Sequence, residues 1–521
     1  MAADKVAGMA RIAVIGAGMG AMAAAARLAV AGHRVAVYER TETYGGAVRR
    51  FERDGFRFDT GPGLLPLPAV YRDLFVKTGK EPLEDRVELV QVDPSSRHVF
   101  ADGTEVSLPN ASRAGVVAAL DEALGWGAGQ RWGDFLVRAR EAWDRTRRPL
   151  LEEPLWPNWS VLAEREPYPS VPHKRLLRTR RAGTLAEIGA WELRDPRLTA
   201  LLESHALAYG LDPSVTPASA AVLAYMEHAF GTWYVRGGMR ELARAVYERC
   251  VARKVEFHFG AEVTGILEKD GRAAGLELAG ATSQAFGSGG GRVAEADTVV
   301  GSGPWRLSDL LRGRELYEAG AVETRPEGTA TGRVVVCLAL RGARAADAPH
   351  RTVVHSADPQ AEWDLFARGV PPEHPTVRID RPDDPALRPD DAHESVVLTA
   401  TVPSQTRYDW TAAGAADAFA DRMVAAAERA IPGLRERTLW REVRTPVHTR
   451  EETGAEGGGV PAPALASAGG TMLHPSNSTA IPGLFTVGGW SHPGGGLPHA
   501  GMSGALVAGL VVEGPEFRGS Q

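Results

Sequence analysis

The sequence predicts an α/β fold organised around a nucleotide-binding unit, and three features of residues 11–40, RIAVIGAGMGAMAAAARLAVAGHRVAVYER, predict it. Ile12 to Ile15 is a short apolar run of the kind buried in a parallel sheet. A glycine turn at Gly16 and Gly18 follows and opens an alanine-rich helix from about Gly20 to Ala31. A second strand, Arg34 to Tyr38, then ends at Glu39, 23 residues after Gly16.

Each part has a physical reason. Gly16 permits the tight turn, and Gly18 lets backbone approach a pyrophosphate at the positive end of the helix, where N–H groups are unpaired. The place of the third fingerprint glycine, one residue after Gly20, is taken by Ala21, small enough for the helix to pack on the strand. Glu39, followed by Arg40, can accept hydrogen bonds from an adenosine ribose and would repel the extra phosphate of NADP. This order makes a Rossmann-like dinucleotide domain the expectation. The motif by itself leaves FAD and NAD both open.

Composition narrows the remainder. A chain of 521 residues exceeds one hydrophobic core, so two or more lobes are expected. A net charge of −6 argues against general nucleic-acid binding, which needs a basic face. Two cysteines, Cys250 and Cys337, suit a reducing cytoplasm rather than a disulfide framework. The start MAADKVAGMA lacks the pattern of a signal peptide, and no run of about 18 apolar residues predicts a spanning helix. No GxxxxGK[ST], HExxH or CxxC motif occurs, and no metal site is expected.

Further motifs carry a resemblance. YGGAVRRFERDGFRFDTGPGLLPLP (44–68) follows the acid, and GTWYVRGGMRELARAV (231–246), VEFHFGAEVTGILEKDGRAAGLEL (255–278) and ADTVVGSGPW (296–305) come later. Near the end stands IPGLFTVGGWSHPGGGLPHAGMSGALVAGLV (481–511). Together these resemble the bacterial phytoene desaturase family of FAD-dependent oxidoreductases, within the amine-oxidase-like flavoproteins, over nearly the whole chain. The resemblance implies FAD as cofactor. It also implies cofactor contacts at Gly46, Arg49, Gly61, Pro62, Val263 (over the adenine), Gly303, Gly488, Gly489, Gly496, Leu497 and Pro498. A helix beginning near Pro498 would place its positive end at the flavin pyrimidine. Glycines 494 to 496 would let the ring lie flat on backbone. The chain departs from the family at Ala47, where an arginine usually follows the glycine pair, and Arg49 or Arg50 stands nearest to replace it. Trp490 and His499 are larger than the family's usual residues there.

The implied architecture is a GR2-type FAD-binding domain from 10–75, 235–305 and 476–515, with a discontinuous α+β substrate domain from 76–234 and 306–475. Helical patterns at 114–125, 195–210 and 217–230 and strand patterns at 333–342 and 394–403 fit that division. SGGG (288–291) and 381–393 read as loops. PHKRLLRTRRAG (172–183) reads as a membrane-surface patch or a solvated helix face, and the tryptophans of this insertion as core or interfacial belt. His492 and His499, in the flavin-side turn, are candidate proton acceptors, or else shape the pocket. The resemblance implies a desaturase that passes hydride from a long isoprenoid or polyene chain to flavin N5, with oxygen or a quinone as acceptor. Two alternatives are an NAD(P)H-driven reductase, reductive cyclase or isomerase on the same scaffold, and a flavin-free prenyl-binding protein like the Rab GDP-dissociation inhibitors. The expected location is cytoplasmic, with peripheral contact at the inner membrane face left open.

Overall fold

The alternation of the opening strand decides the first layer arrangement. Ile12 and Val14 point to one side of the sheet and Ala13 to the other, and all three are buried. A computed structural model describes residues 9–155, 160–164, 166–173, 178–280, 292–318, 321, 331–467 and 472–519. In it Arg11–Ile15 lies inside a five-stranded sheet in the order Glu256–His258, Arg34–Tyr38, Arg11–Ile15, Thr298–Gly301, Leu484–Thr486. Every neighbouring pair is parallel. Helices Met19–Val30, Ala69–Gly79, Met239–Ala252 and Leu497–Glu513 bury one face. An antiparallel trio, Val263–Lys269, Arg272–Leu278 and Arg292–Glu295, covers the other with helix Pro304–Leu310. The expected boundary at residue 75 falls inside helix Ala69–Gly79, and the same core continues to Leu83 and Val87. Packing, rather than the end of a motif, sets that limit.

The second sheet has seven strands, in the order Thr438–Arg444, Thr331–Arg341, His393–Pro403, Val377–Asp380, Arg351–Val354, Ser96–Val99, Glu105–Leu108. Strands from both insertions therefore share one sheet. One face is apolar: Val334, Val336, Ile379, Val396 and Leu398 pack under helix Ala415–Ala427. On the other face Phe56 and Phe58 cover Val335, Cys337 and Val397 at one end. Helices Pro196–Leu207 and Ala221–Phe230 approach the rest.

Those two helices join Arg113–Leu124 and Ala128–Arg147 in a third core that includes Trp132 and Trp143. Trp126 is 96% exposed between two glycines, so the tryptophans divide between core and surface. Trp156, Trp159 and SGGG lie outside the described residues. In the basic stretch at 172–183 the described residues on either side of 174–177 include two strands. Val171–His173 and Arg178–Arg180 pair as antiparallel strands, and Arg180 stacks 4.3 Å from the Trp191 ring. Among the described residues no helix is long and apolar enough to cross a membrane.

Candidate functional site

The glycine turn is held from three sides. Gly16 has φ +91° and donates its N–H to Tyr38 O at 2.8 Å. Gly45 donates to Ala17 O at 2.7 Å, which lays the second glycine pair along Gly18. A Cβ on Gly46 would stand 3.0 Å from Gly18 Cα, so only glycine allows the two segments this approach. Glu39 sits under the turn, 7% exposed. Its carboxylate accepts from Ala17 N (2.8 Å), Thr41 N (2.8 Å) and Thr41 Oγ1 (2.9 Å). In front of Gly18 the space is open: a Cβ there would meet nothing within 4 Å.

The arginines sort themselves by partner. Arg49 folds back on Gly46 O (2.8 Å), Thr41 Oγ1 (3.1 Å) and Glu452 O (3.2 Å), beside the turn. Arg50 points away to Gly237 O and Glu241, and Arg40 to the carbonyls of Arg450 and Glu451. Arg240, which the sequence reading passed over, donates to Tyr44 O, Val48 O and Thr43 Oγ1 and stacks over Tyr44 at 4.0 Å.

Several glycines singled out from sequence answer to backbone crossings. A Cβ on Gly20 would lie 2.8 Å from Ala500 O and 3.1 Å from Gly488 Cα, where the opening and closing helices cross. Ala21 is buried in the same core. Gly61, before Pro62, passes Ala47 O at a distance that excludes any side chain. Gly303 (φ +77°) caps helix Pro304–Leu310. Val263 is buried, and its carbonyl accepts from Arg306 at 3.2 Å.

The second glycine turn begins where Leu484–Thr486 ends. Gly488 (φ +96°) donates to Ser503 Oγ at 3.0 Å. Asn477, also missed from sequence, is fully buried and donates to Thr486 O, His492 O and Ser503 Oγ at 3.1, 2.8 and 3.1 Å. Gly489 and Gly495 pack against Pro461. Gly496 (φ +107°) precedes the closing helix, Pro498 occupies its first turn, and Tyr71 Oη donates to Leu497 O at 2.9 Å. Trp490 meets Trp305 edge-on at 4.9 Å.

The candidate histidines fall in different places. His492 is fully buried, and its Nε2–H donates to Glu153 O at 2.9 Å, so it ties the glycine turn to the end of a long helix. His499 lines a mainly apolar cavity with Trp143, Leu150, Leu223, Met226, Leu465 and Arg147, and among the described residues its Nδ1 has no partner. Burial pushes His492 down to about 4 and His499 down to about 3, so both rings are neutral near pH 7. A nitrogen that holds a proton so weakly is a poor acceptor for one.

Two glycine turns, one at each of two helix N-termini beside one parallel sheet, describe a dinucleotide site without choosing the dinucleotide. The profile of the family described as "Flavin containing amine oxidoreductase" matches residues 22–512. The chain belongs to this family. A flavin family on a dinucleotide fold takes FAD, which settles the choice against NAD as the resident cofactor. Among similar proteins, 4,4'-diapolycopene oxygenase of Methylomonas sp is 29% identical over 513 residues, 96% of this chain and 98% of the relative. Hydroxyneurosporene desaturase of Rhodobacter capsulatus is 28% identical over 95% of this chain and 96% of its own. An oxidoreductase from Methanosarcina mazei shares the fold, with a TM-score of 0.62 at 17% identity over 95% of this chain and 99% of that one.

The residues present fit FAD, because the ground in front of Gly18 is clear while the glycine loop closes over its side. A second cavity in this flavin oxidoreductase was invisible to the motif reading. Ser96, His98, Arg333, Arg351, Arg378 and Thr399 line it from the seven-stranded sheet. The signal was available, since Arg333, Thr399, Thr401 and Arg378 all lie on one face by period-two counting.

Proposed function

We propose that this protein is an FAD-dependent oxidoreductase that desaturates a long isoprenoid or polyene chain. The observation that carries the reading is the second glycine turn, Gly488 to Gly496, set at the N-terminus of the closing helix, with the apolar side chains Trp143, Leu150, Leu223, Met226 and Leu465 gathered around His499 three residues further on. Relatives of nearly equal length are named for oxidations of carotenoids, which supports the substrate class.

In this reading Gly16, Gly18, Gly46 and Arg49 hold the pyrophosphate at the opening helix, and Glu39 offers its remaining lone pairs to the ribose. Gly488, Gly489 and Gly496 give the flavin a side-chain-free wall, and the unpaired N–H groups at Leu497 and His499 favour negative charge on its pyrimidine edge. When bound, FAD supplies a hydride acceptor at N5. Trp143, Leu150, Leu223, Met226 and Leu465 would form an apolar wall that orients the chain towards the acceptor. Removal of a hydride from the chain, and of a proton from the neighbouring carbon to water reaching the site, would make one double bond. His492 positions the turn through Glu153, and neutral His499 shapes the cavity wall. Oxygen or a quinone would reoxidise the cofactor.

Anaerobic absorbance of the FAD-loaded protein tests the proposal. Bleaching of the flavin band by a liposomal polyene supports desaturation. Bleaching by NADPH or NADH, with none by polyene, overturns it in favour of a reductive enzyme. A purified protein that takes up no FAD overturns both.

A further inference from the structure

The polar cavity is out of place in an enzyme for a pure hydrocarbon. Its floor is one face of the seven-stranded sheet, where register aligns Arg333 with Thr401 and Thr399 with Arg378 across neighbouring strands. Val353 pairs with Arg378 and His98 with Val353, which extends the same face to Ser96 and Arg351. Its roof is Ser204, His205 and Ala208 from one helix end and Glu227 from another.

Charge in this cavity is unbalanced. Arg351 is paired with Glu227, which also lies 3.9 Å from His205, and Arg378 is paired with Asp380 at 3.2 Å. Arg333 donates to the Ala208 carbonyl, and among the described residues no carboxylate stands within ion-pair distance of it. Three guanidiniums therefore meet two carboxylates, an excess of one positive charge in a largely buried space. Burial first, and Arg378 second, push the Arg333 guanidinium down to about 10. A buried arginine without an anion is costly, and a fork of N–H donors matches a pair of anionic oxygens.

The cavity also adjoins the flavin-side turn. A Cβ built on Gly496 would lie 3.5 Å from Tyr209 Cε1 and 3.6 Å from Tyr209 Oη. The same Tyr209 is within electrostatic reach of Arg333, Arg351 and Arg378. Tyr209 thus stands between the glycine turn and the arginines.

We propose that Arg333, supported by Arg378 and Thr399, binds an anionic oxygen pair at one end of the polyene substrate, a carboxylate or the enolate of a 1,3-dicarbonyl. The proposal rests on the polyene reading for the remainder of the molecule. It makes this enzyme selective for acid-ended chains over the neutral chain of equal length.

The test uses full-length, FAD-loaded protein and three probes: all-trans-retinoic acid, its methyl ester, and a 2-polyenoyl-1,3-cyclohexanedione. Tryptophan fluorescence quenching reads affinity, and anaerobic flavin bleaching reads reaction. We expect one or both acids to bind at least about tenfold more tightly than the ester, and the tighter acid names the end group. Arg333→Met should remove that preference by weakening the acids far more than the ester. If this variant fails to hold FAD, the wild-type acid-to-ester ratio and Arg378→Met carry the decision. Equal affinity for acids and ester overturns the proposal, as does a variant that weakens acid and ester alike. Bleaching by polyenes with no acid preference sinks the anion site and spares the desaturase. Acid preference with no bleaching by any polyene does the reverse.

Discussion

Replacing Glu39 with Gln preserves shape and removes one charge, so it isolates what the carboxylate does for the nucleotide turn. Glu39 accepts three hydrogen bonds, at 2.8, 2.8 and 2.9 Å, from Ala17 N, Thr41 N and Thr41 Oγ1. A Gln oxygen can keep the two from Thr41, but its amide then faces the Ala17 N–H, donor against donor. Ala17 is fully buried, so its orphaned N–H costs about 1–3 kcal/mol. A neutral acceptor in place of a charged one at Thr41 costs about 1 kcal/mol more. The sum is about 3 kcal/mol, concentrated between Gly16 and Gly18. Since the pyrophosphate needs this turn closed, FAD affinity should fall by about a hundredfold, at about 1.4 kcal/mol per tenfold. Titration of apoprotein with FAD, read by flavin fluorescence, measures it. A Gln variant that holds FAD within threefold of wild type would refute the role assigned to this carboxylate.

Gly20→Val should disrupt the crossing of the opening and closing helices, because its Cβ would sit 2.8 Å from Ala500 O. Thermal melts should show a loss of about 1–3 kcal/mol or more in the apoprotein, before any effect on FAD. His492→Leu removes the bond to Glu153 O and should cost about 1–2 kcal/mol in denaturant titrations. It should leave the pH profile of turnover unmoved, and a lost ionisation in that profile would reinstate His492 as a proton acceptor. Stability should peak at mildly acidic pH. Burial holds His350 and His492 at about 4 and His355 and His499 at about 3. The unfolded chain protonates these below about 6.5, so their contribution is lost as pH falls from there towards 3. Burial also raises Asp59 to about 6, Glu166 and Glu362 to about 7 and Glu203 to about 8. The unfolded chain ionises these above about 4.5, so their contribution is lost as pH rises towards 8. Glu203→Gln should flatten the alkaline limb by about 2 kcal/mol, and urea midpoints at pH 6 and pH 8 give the comparison.

The nucleotide turn was legible because it is local. Strand, glycines, helix and acid lie within residues 11–40, and each has a backbone or charge requirement that few residue types meet. The helices at 113–124, 196–207 and 221–230 and the strands at 331–341 and 393–403 were legible for the same reason, through hydrophobic period. The pairing of Val171–His173 with Arg178–Arg180 was missed because the basic stretch shows no strand alternation to announce it.

Sequence alone determined that this chain has a dinucleotide turn, a second glycine turn near its end, and strands that present two faces. Only the tertiary structure decided what those faces meet. The polar cavity gathers Ser96, Glu227, Arg333, Arg378 and Thr401 from distant parts of the chain. Periodicity tells which side chains share a face, but not which strand lies beside which, or which helix closes over them. The same limit hid the partners of His492 and Gly20, since a bond to Glu153 O and a crossing at Ala500 O exist only once remote segments pack.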